Sequence, residues 1–133
     1  MKQTLYHGAV SGLLAGLAAS IFNEAYCQAL IVDFTSVFTW LNLLAVCVFS
    51  CVLASLGYFF FAKWVKKGTD SWFNAIFLII SFITFLLPFS SELPMEIESP
   101  ELFPGLTLPM HLFPILFWLA TKPLFIKETP YNA

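Results

Sequence analysis

Four long apolar runs divide the chain. They extend from about Leu5 to Val32, from about Val37 to Ala62, from about Trp72 to Ser91, and from about Leu108 to Ile126. A helix needs about 20 residues to cross the roughly 30 Å hydrocarbon core of a bilayer. The runs are continuous and do not alternate, which disfavours a transmembrane β-barrel. The pattern predicts a single all-α domain over residues 1–133, a bundle of four transmembrane helices.

The connectors between the runs differ in character. The first two are short, and in the second, Gly68 suits the end of a helix while Asp70 or Ser71 suits the N-cap of the next. The third runs from Glu92 to Thr107 and is rich in proline, which disfavours a regular helix. We therefore predict short loops and one Pro-rich loop, which lies against the bundle or the interface through Met95, Ile97, Leu102 and Phe103.

The placement of lysines predicts the orientation of the bundle. The chain contains six basic residues, all lysines, and four crossings bring them to one side: Lys2, Lys63, Lys66, Lys67, Lys122 and Lys127. The charged residues in the loops on the opposite side are all acidic: Asp33, Glu92, Glu96, Glu98 and Glu101. Loops rich in lysine stay in the cytoplasm. Both termini are therefore predicted to be cytoplasmic, and the Pro-rich loop extracytoplasmic.

Composition narrows the classes of partner. Hydrophobic residues make up 59% of the chain and charged residues 11%, whereas soluble domains carry about 25% charged residues. Membrane lipid is therefore the expected surrounding. The chain lacks a basic face with interleaved aromatic residues, so nucleic acid is excluded as an expected partner. No cofactor motif or metal-ligand spacing is present, and we predict no cofactor and no metal.

The first apolar run contains a row of small residues. Gly8, Gly12 and Gly16 are spaced four apart, and Ser20 continues the row. Residues four apart form a ridge on a helix, and small residues in that ridge let a second backbone approach closely. The second run has its own small-residue face, which includes Cys47 and Cys51. We predict helix packing through these residues, most simply ridge against face.

Polar residues inside or near the spans are the candidates for chemistry. Asn23, Glu24 and Gln28 follow the ridge on the first run, and His111 lies early in the fourth. A charged side chain inside the bilayer is costly, so Glu24 is a functional candidate by default. The alternative is a neutral Glu24 that bonds across helices. His111 either pairs with Glu24 to bind a ligand or pass a proton, or bonds the Pro-rich loop. His7 is predicted at the cytoplasmic interface.

Three short motifs carry a resemblance. They are Gly8-Ala9-Val10-Ser11-Gly12 with Asn23, the lysine-rich loop followed by Trp72-Phe73, and Met110-His111-Leu112 after the Pro-rich loop. Together they resemble an uncharacterised family of small four-helix bacterial integral membrane proteins, a domain of unknown function. The resemblance covers about residues 8–122 and implies four spans, the bacterial cytoplasmic (inner) membrane, and attention to Asn23 and His111. It implies no activity, and Glu24 has no counterpart in it.

Two functions from different classes remain open. The first is a protein that acts by helix packing, as an accessory subunit or homo-oligomer whose partners are other transmembrane helices. The second is a bundle that transports a small solute or proton, or binds a ligand, through Asn23, Glu24, Gln28 and His111. An enzyme acting on lipid or quinone is disfavoured, because no full set of catalytic roles can be assigned.

Overall fold

The computed structural model describes residues 2–65, 68–90 and 99–126, and helices account for most of them. The helices are α1 (Lys2–Leu30), α2 (Trp40–Trp64), α3 (Thr69–Ile83), α4 (Leu87–Ser90) and α5 (Phe103–Phe125). Short 3₁₀ turns at Thr84–Leu86 and Pro100–Leu102 join α3 to α4 and lead into α5. Four helical segments are long and apolar enough to cross a membrane: Lys2–Leu30, Trp40–Trp64, Thr69–Ser90 and Pro100–Phe125. The all-helical, four-span prediction agrees with this architecture.

The largest difference from the predicted boundaries is at α5, which begins at Phe103 and not near Leu108. Pro100 opens the preceding 3₁₀ turn and Pro104 lies in the first turn of α5. The first amides of a helix have no intrahelical acceptor, so a proline there removes no hydrogen bond. The prediction that Glu92–Thr107 avoids helix is therefore wrong for residues 103–107. Its residues 92–98 lie outside the described part of the chain.

The second connector also ends earlier than predicted. Gly68 has φ +70° and is the N-cap of α3, which starts at Thr69. The left-handed conformation favours glycine because it has no Cβ. Asp70 is consequently in the first turn of α3, and neither it nor Ser71 is the cap. This shift directs the Asp70 carboxylate toward neighbouring helices.

The glycine ridge of α1 packs antiparallel against α2. A Cβ at Gly8 would lie 2.6 Å from the Ser55 hydroxyl oxygen, and one at Gly16 would lie 2.8 Å from the Cα of Leu44. A Cβ at Gly12 would meet the backbone of Val48. The two backbones approach this closely only because these side chains are absent. Cys47 and Cys51, both buried free thiols, belong to the facing surface of α2.

Helix α5 closes the bundle against α1 and α2. At one end its first turn contacts the connector after α1, where the ring of Phe38 stacks on Phe103 at 5.5 Å between centroids. Tyr26 of α1 donates a hydrogen bond of 2.9 Å to the carbonyl of Leu102. At the other end Trp118 is fully buried among α1, α2 and α3. These contacts make α5 antiparallel to α1.

Helix α3 contacts the bundle along one narrow seam. Phe73 and Phe77 pack on Trp118, with ring centroids 5.4 and 5.6 Å away, and further along, Phe85 meets the ring of His111. The rest of this span is apolar and exposed. Its exposed large side chains are Trp72, Ile76, Leu78, Ile79, Ile80, Phe82, Ile83, Leu86, Leu87 and Phe89.

Candidate functional sites at the two ends of the bundle

The two ends of the bundle differ in charge. Lys2 at the start of α1, Lys63 in the last turn of α2 and Lys122 in the last turn of α5 lie at one end, which we call the lysine end. Among residues 2–65, 68–90 and 99–126, every lysine is at this end. The acidic residues Glu24, Asp33 and Glu101 lie toward the opposite end. Polar side chains gather at both ends, in different arrangements.

The lysine end encloses a buried polar cluster centred on His7. The imidazole is fully buried, and its Nε2 lies 2.9 Å from the Trp118 carbonyl oxygen and 3.0 Å from the Thr121 hydroxyl. A carbonyl only accepts, so Nε2 carries the proton and donates it. Nδ1 is then the bare acceptor of the ring, and it is buried without a hydrogen-bond partner among the residues that the structure describes. His7 therefore has one nitrogen satisfied and one available.

Hydroxyl groups extend the cluster across α1, α2 and α5. Ser11 Oγ lies 2.7 Å from Thr121 Oγ1 and 2.6 Å from the carbonyl oxygen of His7. On the other side of Trp118, the indole N–H donates to Ser55 Oγ at 3.0 Å. Each helix of this trio thus contributes a buried polar side chain that bonds a second helix. In lipid, such bonds add to packing as a source of helix association.

A salt bridge ties α3 and α5 beside this cluster. Lys122 Nζ lies 3.0 Å from Asp70 Oδ1 and donates to Asn74 Oδ1 at 3.1 Å. Tyr58 of α2 donates to the same Asp70 oxygen at 2.5 Å. The Lys122 side chain is only 8% exposed and that of Asp70 is 34% exposed. The ammonium group also faces the rings of Tyr58 and Trp118. This lysine is therefore an internal connector of three helices.

The sequence prediction missed this cluster. The sequence predicts His7 at the cytoplasmic interface, and Lys122 serves there only to predict the orientation of the bundle in the membrane. Both residues are buried. The sequence does contain one signal for this cluster. His7 immediately precedes the ridge residue Gly8, and Ser11, four residues later, immediately precedes the ridge residue Gly12. Polar residues next to a packing ridge point toward a neighbouring helix. No sequence signal named Trp118 or Thr121 as their partners.

The opposite end contains a groove, which we call the Glu24 groove. It encloses about 230 Å³ and lies between the last third of α1 and the connector leading into α2. Asn23 and Glu24 were predicted site residues and both line it. The complete lining is Ser20, Asn23, Glu24, Thr35, Phe38, Thr39 and Trp40.

Glu24 is exposed on the bundle surface, not buried between helices. Its Oε1 accepts a hydrogen bond of 2.8 Å from Gln28 Nε2, which holds the carboxylate beside the groove. Asp70, in the first turn of α3, is the more enclosed of the two acids. Asn23 is half-buried, and within the described residues the Cys27 thiol makes a long contact of 4.0 Å to its Oδ1.

His111 belongs to a different surface. Its Nδ1 lies 2.8 Å from the Thr107 carbonyl oxygen on its own helix, and its ring contacts Phe85. Glu24 instead borders the connector between α1 and α2. The predicted site thus divides: Asn23, Glu24 and Gln28 stay together, and His111 faces the α3 side of α5.

The connector beside the groove carries a second acidic residue, Asp33. The side chain of Thr35 and then its backbone amide hydrogen-bond the Asp33 carboxylate and lower its pKa below the ordinary value. The amide nitrogen lies 2.8 Å from Asp33 Oδ1. This end is therefore negatively charged at neutral pH. Among the described residues, no three His, Cys, Asp or Glu side chains are grouped to hold a metal ion.

Comparison of the chain with protein-family models, with curated proteins and with solved structures gives no match.

Proposed function

We propose that the protein acts by helix packing in a membrane, as an accessory subunit or a self-associating protein that offers α3 to other transmembrane helices. The observation that carries this proposal is the single seam by which α3 meets the bundle, through residues such as Phe73 and Phe77. The rest of the span exposes a broad face of isoleucine, leucine and phenylalanine. The glycine ridge is covered by α2, and the span Thr69–Ser90 is the least buried of the four, so we assign α3 as the surface for partners.

The proposed setting is the bacterial cytoplasmic membrane, with the lysine end in the cytoplasm and the connector after α1 outside. The positive-inside rule and the clustering of Lys2, Lys63 and Lys122 support this orientation. The resemblance to small four-helix bacterial membrane proteins supports the choice of membrane. A cysteine introduced at Asp33 in a Cys-free chain should react with an impermeant maleimide in intact cells, and one at Lys63 should react only after lysis.

Crosslinking tests the packing function. A photo-activatable residue at Ile79, 60% exposed on α3, is expected to capture a protein in native membranes. The matched control is Ile21, 70% exposed on α1. A protein adduct several-fold stronger at Ile79 than at Ile21 supports the proposal. Adducts to lipid alone at both positions, with a monomeric chain in mild detergent, contradict it.

One observation favours a second function, ligand binding. Glu24 and Asn23 line a groove with hydroxyl and aromatic side chains, and we propose that this groove binds a small polar ligand. His111 takes no part in this version of the proposal, because its contacts lie on the α3 side of α5. Saturable binding of a small polar ligand that becomes weaker in the Glu24→Gln variant supports this proposal. Binding of equal affinity in the wild type and in Glu24→Gln contradicts it.

A further inference from the structure

We infer that the Glu24 groove recognises an organic ammonium group, the charged amine of a lipid headgroup or of a free small amine. This inference rests on the second proposed function and names its ligand class. The groove brings together one carboxylate, several oxygen acceptors and two aromatic rings. That combination is suited to a cation that carries both N–H donors and carbon atoms.

Two side chains of the groove, those of Ser20 and Glu24, offer acceptors to a ligand. Ser20 uses its hydroxyl proton on the Gly16 carbonyl, 2.9 Å away. The lone pairs of the Ser20 oxygen remain for a ligand. Glu24 Oε1 is held by Gln28, and the carboxylate as a whole only accepts when ionised. A ligand that donates hydrogen bonds therefore matches Ser20 and Glu24 better than one that only accepts them.

The aromatic residues select an organic cation over an inorganic one. Phe38 has one face against Phe103, and the Trp40 ring is 68% exposed at the groove. A tryptophan face attracts ammonium groups more strongly than any other side-chain ring does. The volume of about 230 Å³ is below the range of drug-sized pockets, about 300–1,000 Å³, and fits a group of a few heavy atoms.

Position and charge point to the same ligand. Glu24 follows Lys2 by 22 residues, which is about 33 Å at 1.5 Å per residue, close to the roughly 30 Å hydrocarbon thickness. With the lysine end at one interface, the groove lies at the depth of the opposite headgroups. Glu24 and the ionised Asp33 make this end repel anions. The described lysines, which would attract phosphate, are all at the other end.

Tryptophan fluorescence provides the assay, because Trp40 lines the groove. The full-length protein is placed in phosphatidylglycerol nanodiscs, which contain no amine, and titrated with ethanolamine or with ethylene glycol, its neutral counterpart. We expect a saturable response to ethanolamine only, absent in Trp40→Phe. Glu24→Gln should weaken the affinity about tenfold, the value of one charge-assisted hydrogen bond. Glu101→Gln, an exposed acid at the same end and outside the lining, should leave it unchanged.

The outcomes separate the inference from the function on which it rests. Equal saturable responses to ethanolamine and ethylene glycol would keep the ligand site and overturn the ammonium inference. No response to either compound in either lipid, in a folded protein, would overturn both. Nanodiscs with phosphatidylethanolamine distinguish the two sources of amine. Competition by this lipid against free ethanolamine identifies the headgroup, whereas an unchanged titration identifies a free amine, and both results support the inference.

Discussion

The imidazole Nε2 of His7 lies 2.9 Å from the backbone carbonyl oxygen of Trp118, although the two residues are 111 positions apart in the chain. This contact joins the first turns of α1 to the last turns of α5 at the lysine end. It also fixes the direction of the bond, because the carbonyl has no proton to give. The first prediction follows from this direction.

His7 is expected to be the Nε2–H tautomer, with Nδ1 unprotonated. Solid-state ¹⁵N NMR of histidine-labelled protein in bilayers at about pH 8, where unperturbed histidine is neutral, distinguishes the two ring nitrogens. His111→Gln simplifies the spectrum to a single histidine, since the chain has two. A spectrum with Nδ1 as the protonated nitrogen would contradict the hydrogen bond to Trp118.

Gly12→Ala is expected to destabilise the bundle by about 1–3 kcal/mol, because the new methyl group would overpack the backbone of Val48 on α2. The matched control is Gly57→Ala. There the nearest atom to the new Cβ would be Phe73 Cε2 at 3.6 Å, an ordinary contact, and replacing a helical glycine by alanine should gain about 0.5–1 kcal/mol. Unfolding in mixed micelles measures both changes. A Gly12→Ala protein as stable as the wild type would contradict the packing of α1 on α2.

The Lys122–Asp70 pair is expected to show coupling in a double-mutant cycle. Lys122→Met and Asp70→Asn should each cost about 1–3 kcal/mol. This is less than the value for a fully buried pair because Asp70 is one-third exposed. The double variant should cost less than the sum of the two, because neither charge is left without its partner. Additive losses would show that the two groups do not interact in the bilayer. Lys63→Met, which removes a cation from an exposed residue, serves as the control.

Ser55→Ala is expected to cost about 1–2 kcal/mol, because it leaves the indole N–H of the buried Trp118 without its acceptor. Ser20→Ala is the comparison. Its hydroxyl bonds only the Gly16 carbonyl of its own helix, so the expected change is within about 0.5 kcal/mol. Equal effects of the two substitutions would contradict the role assigned to the Trp118–Ser55 bond.

Much of the fold follows from local patterns. The four apolar runs located every span to within a few residues except at α5, because length and continuous hydropathy are properties of a segment by itself. The predicted start of α5 is late because the prolines of the connector Glu92–Thr107 are taken to exclude a regular helix. Pro104 lies in the first turn of α5, where its missing amide removes no bond.

Which side chains form each site depends on contacts between helices that are far apart in the sequence. Asn23, Glu24 and Gln28 were found together because they lie within six positions of one helix. The proposed partnership of Glu24 with His111 did not appear, because membrane depth alone says nothing about how a helix is rotated. His111 faces Phe85, while Glu24 borders the connector after α1.

The sequence by itself determined that this chain forms four apolar helices, with a glycine row on the first and lysines at one end, since these features repeat at helical spacing or require only a count. The tertiary structure decided that His7 bonds Trp118, that Lys122 meets Asp70, and that Asn23 and Glu24 share a groove with the connector after α1. Each of these contacts depends on the angle at which one helix presents its side chains to another, and that angle is set by the packing of the whole bundle.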